Sequence, residues 1–459
     1  MRMSRKFALL AAMVIGPIAT LPVDARAATL SLIGSSTKVC QVIGDKDWTT
    51  NLPTAAKTLT NFGLDSVDLG FPVDSGPGGL LYFLFGDAAP NGHPPNSIVT
   101  VPPDDALGFT KRTTPPDSAT CLDLELATSA PKTFAHPTVQ PAIQQGSFNV
   151  PSGGVFLDKK FYAFFWTDHC LLATALGPDP ITPLRRPLPS GGCPETPVTS
   201  SIGQSVLADS APATPLDFHW QPPAGNPLFR NMPSGFVYAS AAMPPSPQPS
   251  EIPVFGVPRY RASIPYLAAA PRATFGDPDT WKFFAGLVAG NPVWITRQQW
   301  ESGHNAAGEW VPPAGAEIYE AKPADERCVG EHSVTWNAPL HAWLLLYTCT
   351  PWVVEARFAP EPWGPWSPPI IMLSAVQDPD LDCTLIQSAA GCPGLRNYEL
   401  LPTGTPWPGF FYAPFVMDRF TRDATAPGPG QPKRATIDWL LSTWNPYTVV
   451  VMHSTLELQ

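Results

Sequence analysis

Apolar residues along this chain come in short, near-continuous runs rather than at every third or fourth position. Leu80-Leu81-Tyr82-Phe83-Leu84-Phe85 closes on Gly86-Asp87, and Phe161-Tyr162-Ala163-Phe164-Phe165-Trp166 closes on Thr167-Asp168. Phe236-Val237-Tyr238-Ala239, Ile264-Pro265-Tyr266-Leu267-Ala268, Trp343-Leu344-Leu345-Leu346-Tyr347 and Trp439-Leu440-Leu441-Ser442-Thr443-Trp444 repeat the pattern. Short aromatic runs bounded by Gly, Pro, Asp or Asn read as buried strands. Asp158-Lys159-Lys160 reads as a hairpin turn between Gly154-Val155-Phe156-Leu157 and the run after it. The one helical turn expected is Gln298 to Glu301. The runs recur roughly every 60–90 residues, longer than a bare ~40–50-residue propeller repeat. Inserted loops account for the excess, so the pattern predicts an all-β chain of repeated sheets, with a β-propeller as the natural architecture.

Composition sharpens this. The 459 residues include 59 prolines, far above the usual ~5%. Proline cannot donate to a sheet ladder and breaks helix interiors, so short strands joined by stiff loops are expected. Pro244–Pro253 and Ala426–Pro432 read as loop insertions, not linkers, and residues 28–459 as one domain. Charged residues are only 14%, against 15 Trp and 24 Phe, which excludes a disordered chain.

The first 27 residues read as a secretory signal: basic Arg2, Arg5 and Lys6, an apolar run from Phe7 to Leu21, and a small-x-small site at Ala25-Arg26-Ala27. A secreted or periplasmic protein is therefore expected. The net charge of −10 becomes more acidic once that segment is removed, which argues against a nucleic-acid partner. No later stretch has the ~20 apolar residues of a membrane span. The eight cysteines fit structural disulfides. Cys383 with Cys392, Cys170 with Cys193 and Cys328 with Cys349 are the expected pairs, leaving Cys40 with Cys121.

There is no G-x-S-x-G elbow, no P-loop and no H-E-x-x-H, and the eight histidines are scattered. No metal or other cofactor is expected. Acids at strand ends carry more chemistry. Asp45 and Asp47 lie in Ile43-Gly44-Asp45-Lys46-Asp47-Trp48, Asp68 in Ser66-Val67-Asp68-Leu69-Gly70, and Asp87 and Asp168 end apolar runs. Two carboxyl groups ~5–9.5 Å apart in a pocket are what glycoside hydrolysis requires. An aspartate beside a glycine at a strand end is also the commonest kind of turn former.

Val39-Cys40-Gln41-Val42-Ile43-Gly44-Asp45, Asp68-Leu69-Gly70 and Leu84-Phe85-Gly86-Asp87 resemble the start of the bacterial domain of unknown function 4185 family. Asp104-Asp105-Ala106-Leu107-Gly108-Phe109-Thr110, Val150-Pro151-Ser152-Gly153-Gly154 and Tyr260-Arg261-Ala262-Ser263 follow in order. Gly330-Glu331-His332-Ser333-Val334, Trp363-Gly364-Pro365-Trp366-Ser367 and Ser442-Thr443-Trp444-Asn445-Pro446-Tyr447 complete the series. The resemblance implies a single five-bladed β-propeller, related to furanosidase-type glycoside hydrolases. Some members are endo-D-arabinanases. It also implies that Asp45 and Asp68 do the chemistry, with Asp87 placed to orient or tune them. Ser66-Val67 stand where the family pattern has Gly-Thr, and Asp47 competes with Asp45 for the first role.

Arg259 and Arg261 flank Tyr260 and are candidates to bind a sugar hydroxyl or fix a carboxylate. Glu331, with His332 and Trp336 nearby, is an alternative general acid or half of a structural ion pair, and Asp168 is a further alternative. Trp336 is a candidate sugar contact. The expected function is a secreted, monomeric glycoside hydrolase acting on a furanose-rich polysaccharide such as arabinan. A non-catalytic carbohydrate-binding propeller and a surface protein-interaction scaffold are the alternatives.

Overall fold

The structure, a computed structural model, describes residues 28–90, 104–126, 149–167, 199–206, 219–220, 236–321 apart from 247 and 309, 327–388 apart from 351, 390–392 and 408–459. Within these residues the protein is all-β with very little helix. Five antiparallel sheets of four or five strands follow one another along the chain. In the first, Leu69–Asp74 and Leu64–Ser66 both pair with Leu81–Pro90, followed by Asp104–Thr110 and Glu125–Leu126. The second runs Asn149–Leu157, Lys160–Thr167, Thr199–Val206, His219–Trp220; the third Tyr238–Ala241, Glu251–Val257, Tyr266–Pro271, Lys282–Val288, Asn291–Thr296. The fourth runs His332–Asn337, Ala342–Thr350, Val353–Ala359, Ile370–Ser374. The fifth runs Phe410–Val416, Lys433–Trp444, Thr448–Leu458 and then Leu30–Gln41, so the first and last strands share a sheet.

The strands Leu69–Asp74, Asn149–Leu157, Tyr238–Ala241, His332–Asn337 and Phe410–Val416 touch in that order, and the last touches the first again. They therefore form a ring of contacts. The physical cause is that a sheet flanked on both faces must be apolar on both faces. Phe410–Val416 and Ala342–Thr350 are buried at nearly every position, with no in–out alternation. Edge-on aromatic pairs seal neighbouring sheets: Tyr82 on Phe161, Tyr162 on Phe275, Phe255 on Trp366 and Phe71 on Phe415, at ring separations of 5.4, 4.9, 6.0 and 5.0 Å.

Local chemistry matches the sequence at several points. Asp158 and Lys159 have φ of 49° and 66°, as a two-residue hairpin turn requires, and they join Asn149–Leu157 to Lys160–Thr167. The expected helical turn is Arg297–Glu301, started by a capping box between Thr296 and Gln299. Three disulfides are present as expected, Cys40–Cys121, Cys328–Cys349 and Cys383–Cys392; Cys170 and Cys193 lie outside the described residues. Ala426–Pro432 is a loop. Pro244–Pro253 is only partly one: Glu251–Val257 is a strand in which Pro253 pairs with Ala269. A short helix, Thr58–Phe62, was not expected. Among the described residues no helix is long and apolar enough to cross a membrane.

Candidate active site

The ends where the inner strands begin converge. Asp68 immediately precedes Leu69–Asp74, Glu331 precedes His332–Asn337, and Tyr412 lies near the start of Phe410–Val416. At the other ends of two of these strands Arg419 bridges to Asp74, so Leu69–Asp74 and Phe410–Val416 run the same way. Tyr260 and Arg261 follow Glu251–Val257, whose last residue pairs with Tyr238, and so reach the same mouth from the third sheet.

Asp68 is half-buried, and the Tyr412 hydroxyl donates to its Oδ2 at 2.8 Å. Glu331 is buried, and the Tyr260 hydroxyl donates to its Oε1. The Arg261 Nη2 lies 3.3 Å from both Glu331 oxygens. The guanidinium also lies over two rings, 5.0 Å from the centre of Tyr260 and 5.9 Å from that of Tyr412. Tyr238, fully buried, stands 5.4 Å from the His332 ring. One cation, two carboxylates and three tyrosines thus share one cluster.

Their electrostatics are coupled. Burial, then the Glu331 carboxylate, pushes the Tyr260 hydroxyl well above its usual range; burial, then Asp68, does the same for Tyr412. Burial and then Glu331 raise Tyr238. All three hydroxyls remain protonated at neutral pH. Burial works against the charge on Arg261, but Glu331, Tyr260 and Tyr412 together outweigh it and hold the guanidinium above its ordinary value. Burial lowers His332, which stays neutral with Nδ1 3.0 Å from the Gly330 carbonyl.

The backbone here is strained. Leu69, Arg261 and Ala413 have φ of 61°, 52° and 55°. A non-glycine residue in that region costs about 1–3 kcal/mol and persists only where its surroundings impose it. Leu69 and Ala413 sit at bulges, between Leu69 and Phe71 and between Tyr412 and Phe415. The pairing breaks directly after Tyr412 and one residue after Asp68, so both stand next to an irregularity in their ladders. Leu69 is held by a 2.8 Å bond from its N–H to Ser442 Oγ, and Ser333 Oγ donates to the Pro414 carbonyl. At Gly330 a methyl group would come within 2.8 Å of Arg261 Cγ and 3.2 Å of Tyr260 Cε2. Gly330→Ala is expected to lose about 1–3 kcal/mol, read as a lower urea midpoint, because the methyl group would push on the Arg261 and Tyr260 side chains that Glu331 holds in place.

The remaining candidates are dispersed. Asp45 follows Leu30–Gln41, the outermost strand of the fifth sheet, which pairs with Thr448–Leu458 near the latter's start, so it lies at the same end of that sheet as Tyr412 but at its outer edge. Its oxygens accept from the Thr60 N–H, at 3.0 Å, and from the Thr60 hydroxyl. Asp47 pairs with Lys38 at 2.8 Å and accepts from the N–H groups of Thr49 and Thr50. Burial acts to raise Asp47, but Lys38 and these N–H groups outweigh it and lower its pKa. Asp87 lies in Leu81–Pro90, in a stretch where the pairing slips between Phe85 and Ala88. Asp168 lies outside the described residues. Arg259 is exposed, its carbonyl closing a tight loop with Ala262 and Ser263. Trp336 is five residues along the strand from Glu331, roughly 16 Å at strand rise, and packs on Trp343.

The sequence reading missed Tyr238 and Tyr412. Both lie in apolar runs whose hydrophobic content reads as core, and Tyr412 meets Asp68 from 344 positions away. Among the described residues no three His, Cys, Asp or Glu side chains group as metal ligands do.

The model of a family described as a domain of unknown function, DUF4185, matches residues 221–453. The chain belongs to the DUF4185 family. The DUF4185 match takes in the third and fourth sheets and most of the fifth, and with them Tyr238, Tyr260, Arg261, Glu331 and Tyr412; Asp45 and Asp68 precede it. No curated protein matches the chain in sequence. Among solved structures, this DUF4185 chain is similar to a Bacteroides ovatus protein provisionally called a hydrolase: 10% identity, TM-score 0.46, covering 86% of this chain and 87% of that one. It is similar to a Dyadobacter fermentans protein of unknown function at 11% identity and TM-score 0.36, covering 93% and 100%. A GH43_1 enzyme from Xanthomonas citri is similar at 11% identity and TM-score 0.34, covering 87% and 89%. All three are distant in sequence and only loosely superimposable.

Proposed function

We propose that this protein is a secreted glycoside hydrolase that cuts a furanose-rich polysaccharide such as arabinan, built as a five-bladed propeller with its site at one mouth of the central channel. The observation that carries the reading is the Asp68 carboxylate. It stands at a strained bulge where an inner strand begins, held at one oxygen by Tyr412, in a cluster with Arg261, Tyr260 and Glu331. One carboxyl protonates the glycosidic oxygen while the other attacks the anomeric carbon or activates water there. Asp68 is one of the pair and Asp45, at the same end of the fifth sheet as Tyr412, the other. Glu331 fixes Arg261 and Tyr260, which hold sugar hydroxyls. The ring of five inner strands supports the five-bladed reading.

Asp45 is the member to test, since Thr60 engages both its oxygens. Asp45→Asn keeps an acceptor for the Thr60 N–H, so folding should hold within about 0.5 kcal/mol. Turnover should fall by about 10²-fold or more. The assay is release of reducing ends from D-arabinan, L-arabinan, fructan and galactofuran. Full turnover in Asp45→Asn would confine Asp45 to holding Thr60. The Thr60 contacts also favour a second reading, a carbohydrate-binding protein without catalysis, which predicts saturable glycan binding and no new reducing ends from any of the four.

A further inference from the structure

We propose that Trp352, Phe410 and Trp444 form an aromatic subsite that takes a further sugar ring of a neutral polysaccharide beside the ring held at Asp68. The inference rests on reading the Asp68 mouth as a carbohydrate site. Phe410 lies two positions before Tyr412, hence on the same face of the same strand, with ring centres 5.6 Å apart. Its cross-strand partner is Trp444, 5.9 Å away and within 11° of parallel. Tyr447 braces Trp444 edge-on at 5.3 Å. The aromatic row therefore starts at the tyrosine that binds Asp68 and runs outward, and Phe410 and Trp444 are only half-buried.

Trp352 extends the same rim. It is 42% exposed, the one exposed tryptophan among the described side chains. Its indole N–H donates at 3.3 Å to the carbonyl of Gly409, the residue next to Phe410. Gly409 has no room for a side chain, since a methyl group there would lie 2.6 Å from the Asn445 carbonyl oxygen and the Gln387 nitrogen. An exposed indole fixed by its own N–H is a preorganised flat surface, and the C–H face of a sugar ring fits such a surface while its hydroxyls stay in water. Charge selects the sugar. Asp68 and Glu331 against the single Arg261 make this buried cluster net negative, which disfavours uronic acids beside it and suits neutral rings.

The test is binding to the Asp68→Asn protein, in which no turnover is needed. Calorimetry compares the one of D-arabinan, L-arabinan, fructan and galactofuran that binds most tightly, its mono-, di- and hexasaccharides, and polygalacturonate. Trp352→Ala gives up one hydrogen bond at a partly exposed position and should lower the melting temperature by no more than a few degrees, leaving the protein folded. It should weaken the hexasaccharide about 10-fold and the monosaccharide not at all. Phe410→Leu, which keeps apolar packing, should act in the same direction. Equal losses for all lengths, no loss in either variant, no binding to any of the four, or preference for polygalacturonate would each overturn the subsite. Length-dependent binding lost in Trp352→Ala, with no hydrolysis by the parent protein, would remove the hydrolase reading and leave the subsite. Hydrolysis by the parent with Trp352-independent binding would do the reverse.

Discussion

Asp68→Asn should abolish polymer cleavage, by about 10³-fold or more, while the protein still folds and still binds the glycan. The amide oxygen can accept the Tyr412 hydroxyl as the carboxylate does, so that contact survives while the charge and basicity of the group are lost. Tyr412→Phe is the graded companion. It removes one hydrogen bond and leaves Asp68 in place, so a loss near 10-fold, about 1.4 kcal/mol, is expected. If Asp68→Asn retained parental turnover, the chemistry would have to lie elsewhere, whatever Tyr412→Phe did.

The second large effect is on stability. Arg261→Met should cost about 3 kcal/mol, because it leaves the buried Glu331 carboxylate with no cation beside it. Arg261 is itself about a third exposed, so water recovers part of that penalty and the lower end of the range applies. Against a total stability of ~5–15 kcal/mol this is a large share. Combining it with Glu331→Gln should restore part of the loss, since the amide carries no charge to strand. Urea midpoints of the two single variants and the double variant measure this directly. A double variant no more stable than Arg261→Met would mean that the pair contributes through packing against Tyr260 and Tyr412, not through charge.

What could be read from residues alone was whatever is local. The aromatic runs at 80–85, 161–166 and 343–347 are strands because continuous apolar stretches of that length suit sheets covered on both faces. Asp158-Lys159 is a turn because two adjacent residues there can take positive φ, and Arg297–Glu301 is helical because Thr296 and Gln299 cap it. Of the three described disulfides, Cys383–Cys392 followed from nearness in sequence, Cys328–Cys349 from a bridge between adjacent strands, and Cys40–Cys121 as the remainder. Two members of the cluster, Asp68 and Arg261, were singled out by their motifs, and Glu331 as an alternative. The rest was hidden for physical reasons. Tyr238 and Tyr412 owe their position to sheet packing over hundreds of residues, and a tyrosine in an apolar run carries no local mark of which way its hydroxyl points. Nor does sequence reveal that Thr60 engages Asp45, or that Lys38 engages Asp47, since both contacts depend on the fold of the segment 44–60.

The sharing of one sheet by the first and last strands has a mechanical consequence. Leu30 pairs with Leu458 and the ladder runs inward from there to Gln41 and Val450. Tension applied at Leu30 and Leu458 therefore loads those hydrogen bonds one after another, as a zipper opens, and not all at once in shear. Such a ladder peels at low force. The peeling stops at Cys40, whose bond to Cys121 anchors it beside the first sheet, so with that disulfide intact the outer strand can detach without the other strands of its sheet following. Under reducing conditions the same pull would pass Cys40 and reach the segment that carries Asp45.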